Sequence, residues 1–130
     1  IKGGRRIESA ASLTDALPTM LGILGVPYLN TGIGRDLLGL GPRDPRFSLI
    51  GDNAVLDDEF YLRLDPGGPR LFRYRTPPGA EDVHERHPEK VAELRRLQEA
   101  VLQTSRYMLY HNPARPHAPQ GSAVGQAARR

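Results

Sequence analysis

Ser12-Leu13-Thr14-Asp15-Ala16-Leu17-Pro18-Thr19-Met20-Leu21-Gly22-Ile23-Leu24-Gly25-Val26-Pro27 reads as a capped, buried helix with a glycine stop. Ser12 or Thr14 supplies an N-cap oxygen, and Asp15 places a negative charge at the positive helix end. Leu13, Leu17, Met20, Leu21 and Leu24 recur at helical spacing and form one apolar stripe. Pro18 has no N–H and fits badly in a helix interior. Two placements are open. Either Ala16-Leu17 is a turn and Pro18 the first helical residue, or the helix kinks there. Gly25 suits the left-handed C-terminal position, and Pro27 blocks continuation.

Downstream, residues 28–45 read as a long ordered loop, broken by Asn30, Gly32, Gly34, Gly39, Gly41 and Pro42. Leu37 and Leu38 are expected to pin it to a core. A β-meander follows. Phe47-Ser48-Leu49-Ile50 and Ala54-Val55-Leu56 flank a Gly51-Asp52-Asn53 turn. Asp57-Asp58-Glu59 turns the chain into Phe60-Tyr61-Leu62-Arg63-Leu64. Asp65-Pro66-Gly67-Gly68-Pro69 turns it back into Arg70-Leu71-Phe72-Arg73-Tyr74, with Leu71 opposite in facing to Arg70 and Arg73. Thr76 to His87 is a polar connector. A helix then opens on Pro88, with Glu89 in its first turn, and runs to about His111. Its stripe of Val91, Leu94, Leu97, Val101, Leu102, Met108 and Leu109 is expected to pack on the meander. Ile1 to Ala11 is a short basic lead-in, where Gly3-Gly4 beside Arg5 and Arg6 forms an exposed turn or an anion-binding nest. Residues 112–130, with Pro113, Pro116 and Pro119, read as a disordered tail.

These elements define a small α+β piece of 130 residues, the size of one domain or part of one. Hydrophobic content is 38%, and 14 Gly and 12 Pro leave much of the chain to turns. Opening on Ile1 rather than Met suggests a fragment or processed product. No apolar run reaches the ~20 residues of a membrane span. Cysteine is absent, which excludes disulfides and thiolate metal sites. The net charge of +3 points at first to nucleic acid. Arg115, Arg129 and Arg130 account for all of that excess, so residues 1–111 are formally neutral and no nucleic-acid partner is expected.

Catalytic equipment is hard to find. His84-x-x-His87 lies in a polar connector without a helical scaffold, and His111 and His117 lie apart from it. Asp57-Asp58-Glu59 has cation-binding residue types, but a hairpin turn uses the same ones. Ser9, Ser12, Thr14 and Thr19 flank the first helix, and capping accounts for Ser12 or Thr14. Gly32-Ile33-Gly34 lacks the remainder of a dinucleotide fingerprint. Tyr107, Met108 and Tyr110 form an aromatic stripe better suited to packing than to stacking a ligand.

Ser12 through Gly25, with its Asp15, its Pro18-Thr19 pair and its Leu-rich helix, resembles a segment near the C-terminal end of the sulfatase-type alkaline phosphatase superfamily. Asn30-Thr31-Gly32-Ile33-Gly34-Arg35-Asp36-Leu37-Leu38 resembles that superfamily's Gly-x-Asp-Leu-Leu loop. The nearest branch is the lipoteichoic-acid-synthase-like and phosphoglycerol transferase group. Ile1-Lys2-Gly3-Gly4 is similar to the strand and loop before the helix, Val55 through Leu62 to a following hairpin, and Gln103 through Asn112 to the final helix. The resemblance spans about residues 1–112.

It implies an α/β fold, with residues 1–111 as the C-terminal portion of an alkaline-phosphatase-like sandwich: helix, long loop, small antiparallel meander, long C-terminal helix. It implies a parent enzyme that transfers or hydrolyses phosphate or sulfate esters, a phospholipid among them, at a divalent metal (Mn, Mg, Ca or Zn). The catalytic domain of that branch stands outside the bacterial cytoplasm on a membrane anchor. Its nucleophile and metal ligands have no matching positions in this chain. No catalytic, cofactor-binding or metal residue is therefore assigned, the isolated chain is expected to be inactive, and its expected partner is the rest of its own catalytic domain. Asp15 matches a family Asp whose implied role is anchoring the helix. The alternative is a stand-alone, non-enzymatic binding or scaffold module.

Overall fold

Leu49, Val55, Leu62 and Leu71 lie side by side across four antiparallel strands and form the spine of the core. The strands are β1 (Ser48–Ile50), β2 (Ala54–Leu56), β3 (Phe60–Asp65) and β4 (Gly68–Arg73), in the order β1-β2-β3-β4. The structure, a computed structural model, describes residues 4, 6–75 and 81–111. It is mixed α+β, with two helices, α1 (Ala16–Leu24) and α2 (Pro88–His111), beside this single sheet. The meander and both helices arise where the sequence places them. The Lys2-to-Arg6 nest, except Gly4 and Arg6, the residues 76–80 of the connector and the 112–130 tail lie outside the described residues.

Period-two alternation puts Val55, Phe60, Leu62 and Leu71 on one face, where they form a buried cluster with Phe47, Val83 and Leu94. Helix α2 closes this face. Leu94 is buried, and Val91, Leu97 and Val101 pack around it. Each fully buried leucine contributes roughly 1.5–3 kcal/mol. The α2 expectation therefore holds for the first half of the helix. Beyond Leu102 the helix outruns the sheet, and Tyr107, Leu109 and Tyr110 are exposed. Packing does not explain the tyrosines; Tyr107 instead stacks on His111 at 4.3 Å between ring centroids.

Arg73 corrects another expectation. It pairs directly with Phe60 in register, which puts it on Leu71's face rather than opposite to it. At the sheet margin its guanidinium lies over the Phe60 ring, 5.3 Å from the centroid. The Asp57 turn behaves as a turn. Its Oδ1 accepts the N–H groups of Glu59 and Phe60 at 2.8 and 2.7 Å, and its Oδ2 accepts Lys90 Nζ from α2 at 2.8 Å. Part of the connector is tied down as well. Val83 N–H donates to Leu71 O at 2.8 Å, and Asp82 Oδ1 accepts Leu71 N–H at 3.0 Å.

Helix α1 begins at Ala16, after a 3-10 turn over Leu13–Asp15. Pro18 is thus its third residue, neither its first nor a kink in its middle. First-turn N–H groups have no helical acceptor, so proline removes no bond there. The helix stops in a Schellman arrangement: Gly25 sits at φ 63°, with Gly25 N–H bonded to Gly22 O and Val26 N–H to Leu21 O. The stop was legible in the sequence; the burial of the helix was not realised. Leu13, Leu17, Met20, Ile23 and Leu24 all face solvent, Leu17 at 64% exposure.

Candidate docking face around a buried ion pair

The 3-10 turn ahead of α1 buries a charge. Asp15, at the end of the 3-10 turn, is 1% exposed. Its Oδ2 accepts Ser12 N–H at 2.8 Å, the reciprocal arm of a capping box. Arg35, 20 residues on in the loop, completes the shell. Its backbone N–H reaches Asp15 Oδ1 at 2.8 Å, its Nε the same oxygen at 3.2 Å, and its Nη2 reaches Oδ2 at 2.7 Å. The two side chains thus meet as a bidentate fork, the strongest geometry for such a pair.

Arg35 also ties the loop to the sheet. It donates to Pro45 O and Phe47 O, each at 2.7 Å, and its guanidinium lies 4.0 Å from the centroid of the Phe47 ring. Burial works against ionisation of Asp15, but the Arg35 fork, the N–H groups of Ser12 and Arg35 and the Arg35 charge together outweigh it. They hold the carboxyl below the ordinary carboxylate range.

Thr19 adds a second tie. Its hydroxyl donates to Asp15 O at 2.7 Å and accepts Leu37 N–H at 3.0 Å. Gly34 adds a third, by close approach: a Cβ there would stand 2.1 Å from Thr14 O. Asp15, Thr19, Gly34 and Arg35 therefore lock helix and loop into one rigid unit. Leu37 and Leu38 play a smaller part than expected. Leu38 is exposed and Leu37 half-buried, outside the hydrophobic core, and the polar ties do the pinning instead.

Above this lock lies an apolar surface. Leu13, Leu17, Pro18, Tyr28, Leu29 and Ile33 line an open groove of about 480 Å³. Met20, Ile23 and Leu24 of α1 are exposed as well. From Ala16 to Gly34 the chain carries no charged residue. A rigid, uncharged, apolar face of this kind suits another protein surface better than water.

The other sequence candidates stay apart. His84 Nδ1 is 3.0 Å from Asp82 Oδ1, while His87 packs edge-on to the Phe60 ring. His111 lies at the end of α2, and His117 is outside the described residues. Among the described residues no three of His, Asp and Glu gather into a metal-holding group. Ser12 Oγ is bonded to Ser48 Oγ at 3.1 Å, and Thr19 to backbone, so neither hydroxyl stands beside a base. Gly32-Ile33-Gly34 is loop, as read, with Asn30 Oδ1 accepting Gly32 N–H at 3.1 Å. Arg35 is the residue whose role the sequence hid, because its partner Asp15 lies 20 residues away. Comparison with known proteins found no matching family model, no similar curated protein and no similar solved structure.

Proposed function

We propose that this chain is the C-terminal portion of a metal-dependent, sulfatase-like phosphoryl or sulfuryl transferase or hydrolase of phosphoglycerol-transferase type. The observation that carries this reading is the uncovered apolar face of α1, held rigid by the Asp15–Arg35 pair. A helix fixed on its polar side and bare on its apolar side is half of an interface. The resemblance of Ser12 to Gly25 and of Gly34 to Leu38 names the other half: the preceding part of the same catalytic domain. The chain then contributes architecture. The nucleophile, the divalent metal and its ligands belong to that preceding part, as does any anchor that holds the domain at the outer face of a bacterial membrane. Among the described residues no helix is long and apolar enough to cross a membrane.

The experiment is a pair of measurements. The purified 130-residue chain should not hydrolyse aryl phosphate or aryl sulfate esters with Mn²⁺, Mg²⁺, Ca²⁺ or Zn²⁺ present. In a polypeptide extended upstream of Ile1, Leu17→Asp combined with Ile23→Asp should abolish metal-dependent turnover, yet leave the melting of the 130-residue chain almost unchanged. Metal-dependent turnover by the isolated chain sinks the reading. So does an upstream reading frame without a Ser- or Thr-bearing nucleophile segment and an Asp-His pair.

A further inference from the structure

We propose that the distal end of α2 docks on an anionic lipid surface, as a contact separate from the α1 face and independent of the enzyme reading. Gln98 is the last buried residue of the helix, where its Nε2 donates to Asp52 O in the turn between β1 and β2. From there α2 continues to His111, past the end of the sheet. Tyr107 lies about 14 Å beyond Gln98 at 1.5 Å per residue. The last helical turn thus projects from the body.

That turn is apolar nearly all round. Tyr107, Met108, Leu109 and Tyr110 are consecutive, so at about 3.6 residues per turn they point to different sides of the helix. Tyr107, Leu109 and Tyr110 are 63%, 68% and 76% exposed, and Met108 is half-buried. Tyr107 is also fixed in place: its ring stacks on His111, whose Nδ1 donates to Tyr107 O at 3.0 Å. A protein groove covers one side of a helix and leaves the other wet. A lipid interface surrounds whatever enters it. Tyrosine, with an apolar ring and a polar tip, is enriched at that boundary.

Charge selects the kind of lipid. Glu99 is the last acidic residue of the chain, and Arg95 Nε holds it at 3.0 Å. Residues 100–130 carry Arg106, Arg115, Arg129 and Arg130 and no Asp or Glu. At the end of the sheet that α2 passes, Asp65 is paired with Arg63 and Arg70, which leaves Asp52 as the opposing carboxylate, back at the level of Gln98. An apolar turn in an acid-free, arginine-bearing stretch complements anionic headgroups: Leu109 and the tyrosine rings enter the interface while the guanidinium groups stay with the phosphates. Nucleic acid also attracts arginine, but it offers no apolar medium to Met108 and Leu109.

The test is flotation of the 130-residue chain, at low ionic strength, with vesicles of phosphatidylcholine alone or mixed with phosphatidylglycerol. The chain has no tryptophan, so Tyr110→Trp adds a single fluorescent reporter. Binding to the mixed vesicles is expected, about tenfold or more tighter than to phosphatidylcholine alone. The reporter's emission should shift to the blue and be quenched by brominated acyl chains. Arg106→Gln should weaken binding about fivefold, and Leu109→Asp with Tyr110→Asp about tenfold or more. Arg43→Gln, at an exposed position in the loop, should leave it unchanged. Circular dichroism checks that each variant folds, and Leu109→Ser with Tyr110→Ser decides the matter if the charged pair does not. Absence of binding to the mixed vesicles overturns the proposal, as does binding that survives the folded double variant. Binding lost in Leu17→Asp instead would assign the contact to the α1 face and overturn it too. So would a reporter that responds to an oligonucleotide or to self-association of the chain and not to vesicles.

Discussion

Asp15 and Arg35 meet through two side-chain contacts, Nη2 to Oδ2 at 2.7 Å and Nε to Oδ1 at 3.2 Å, in a setting where Asp15 is 1% and Arg35 15% exposed. Removing one partner leaves the other charge buried with only neutral partners, backbone N–H groups for Asp15 and carbonyls with the Phe47 ring for Arg35. Arg35→Ala and Asp15→Ala should each destabilise the chain by about 3–5 kcal/mol. Urea denaturation measures this, and the double variant should cost clearly less than the sum of the two singles. Additive costs would mean that the pair is not energetically coupled.

The same pair predicts an acid limb. The folded-state pKa of Asp15 lies below its ordinary value of 3.8, and those of Asp57 and Asp82 are lowered too. In each, burial opposes ionisation and is outweighed: by Arg35 for Asp15, by Lys90 and turn N–H groups for Asp57, and by the N–H groups of Leu71 and His84 with the His84 side chain for Asp82. A depressed carboxyl stabilises fully above its unfolded pKa of about 3.9, and the contribution disappears as pH falls through the folded value. Thermal melts should therefore fall steeply below about pH 4. Asp15→Asn should lower stability at neutral pH and flatten that limb. An unchanged acid slope in the variant would refute the assignment.

Gly34 stands where a methyl group would strike the Thr14 carbonyl. Backbone cannot swing aside as a side chain can. Gly34→Ala should cost about 1–3 kcal/mol, as for other overpacked sites. Gly67→Ala, where among the described residues no atom beyond the chain neighbours lies within 4 Å of the added carbon, is the matched control. Equal melting temperatures for the two variants would contradict the close packing of loop on helix.

Helix α2 should split into two energetic halves. Leu94 is 1% exposed in the core, and Leu109 is 68% exposed past the end of the sheet. Leu94→Ala should cost about 2–5 kcal/mol, and Leu109→Ala less than about 0.5 kcal/mol. Chemical denaturation of both variants checks the contrast, and comparable losses would place an unrecognised contact on the distal half.

Much of this architecture was legible because its signals are local. Pro88 with Glu89 opened α2, Gly25 with Val26-Pro27 closed α1, and turn residues at Gly51-Asp52-Asn53 and Asp65-Pro66-Gly67-Gly68-Pro69, of which Gly68 and Pro69 join β4, separated strands whose alternation fixed a core face. Gly25 illustrates why: a single left-handed residue decides the stop, and only its immediate neighbours matter. Asp15 was legible as an anchor for the helix. Its partner was not, because Arg35 lies 20 residues away and one sequence carries no record of which distant charges meet.

Sequence alone, then, determined the order and kind of the strands and two α-helices, the neutral balance of residues 1–111 and the glycine stop of α1, all set by spacing and composition. Tertiary structure decided facing and partnership. It turned Arg73 toward Phe60 and joined Arg35 to Asp15 and to Phe47. It left the stripe of α1 uncovered while α2 took the sheet. An apolar stripe requires burial against something, but periodicity cannot say against what. That is settled by which surfaces a fold brings within reach: Leu94 found the sheet, and Leu17 faces outward from a helix held on its other side by a buried ion pair.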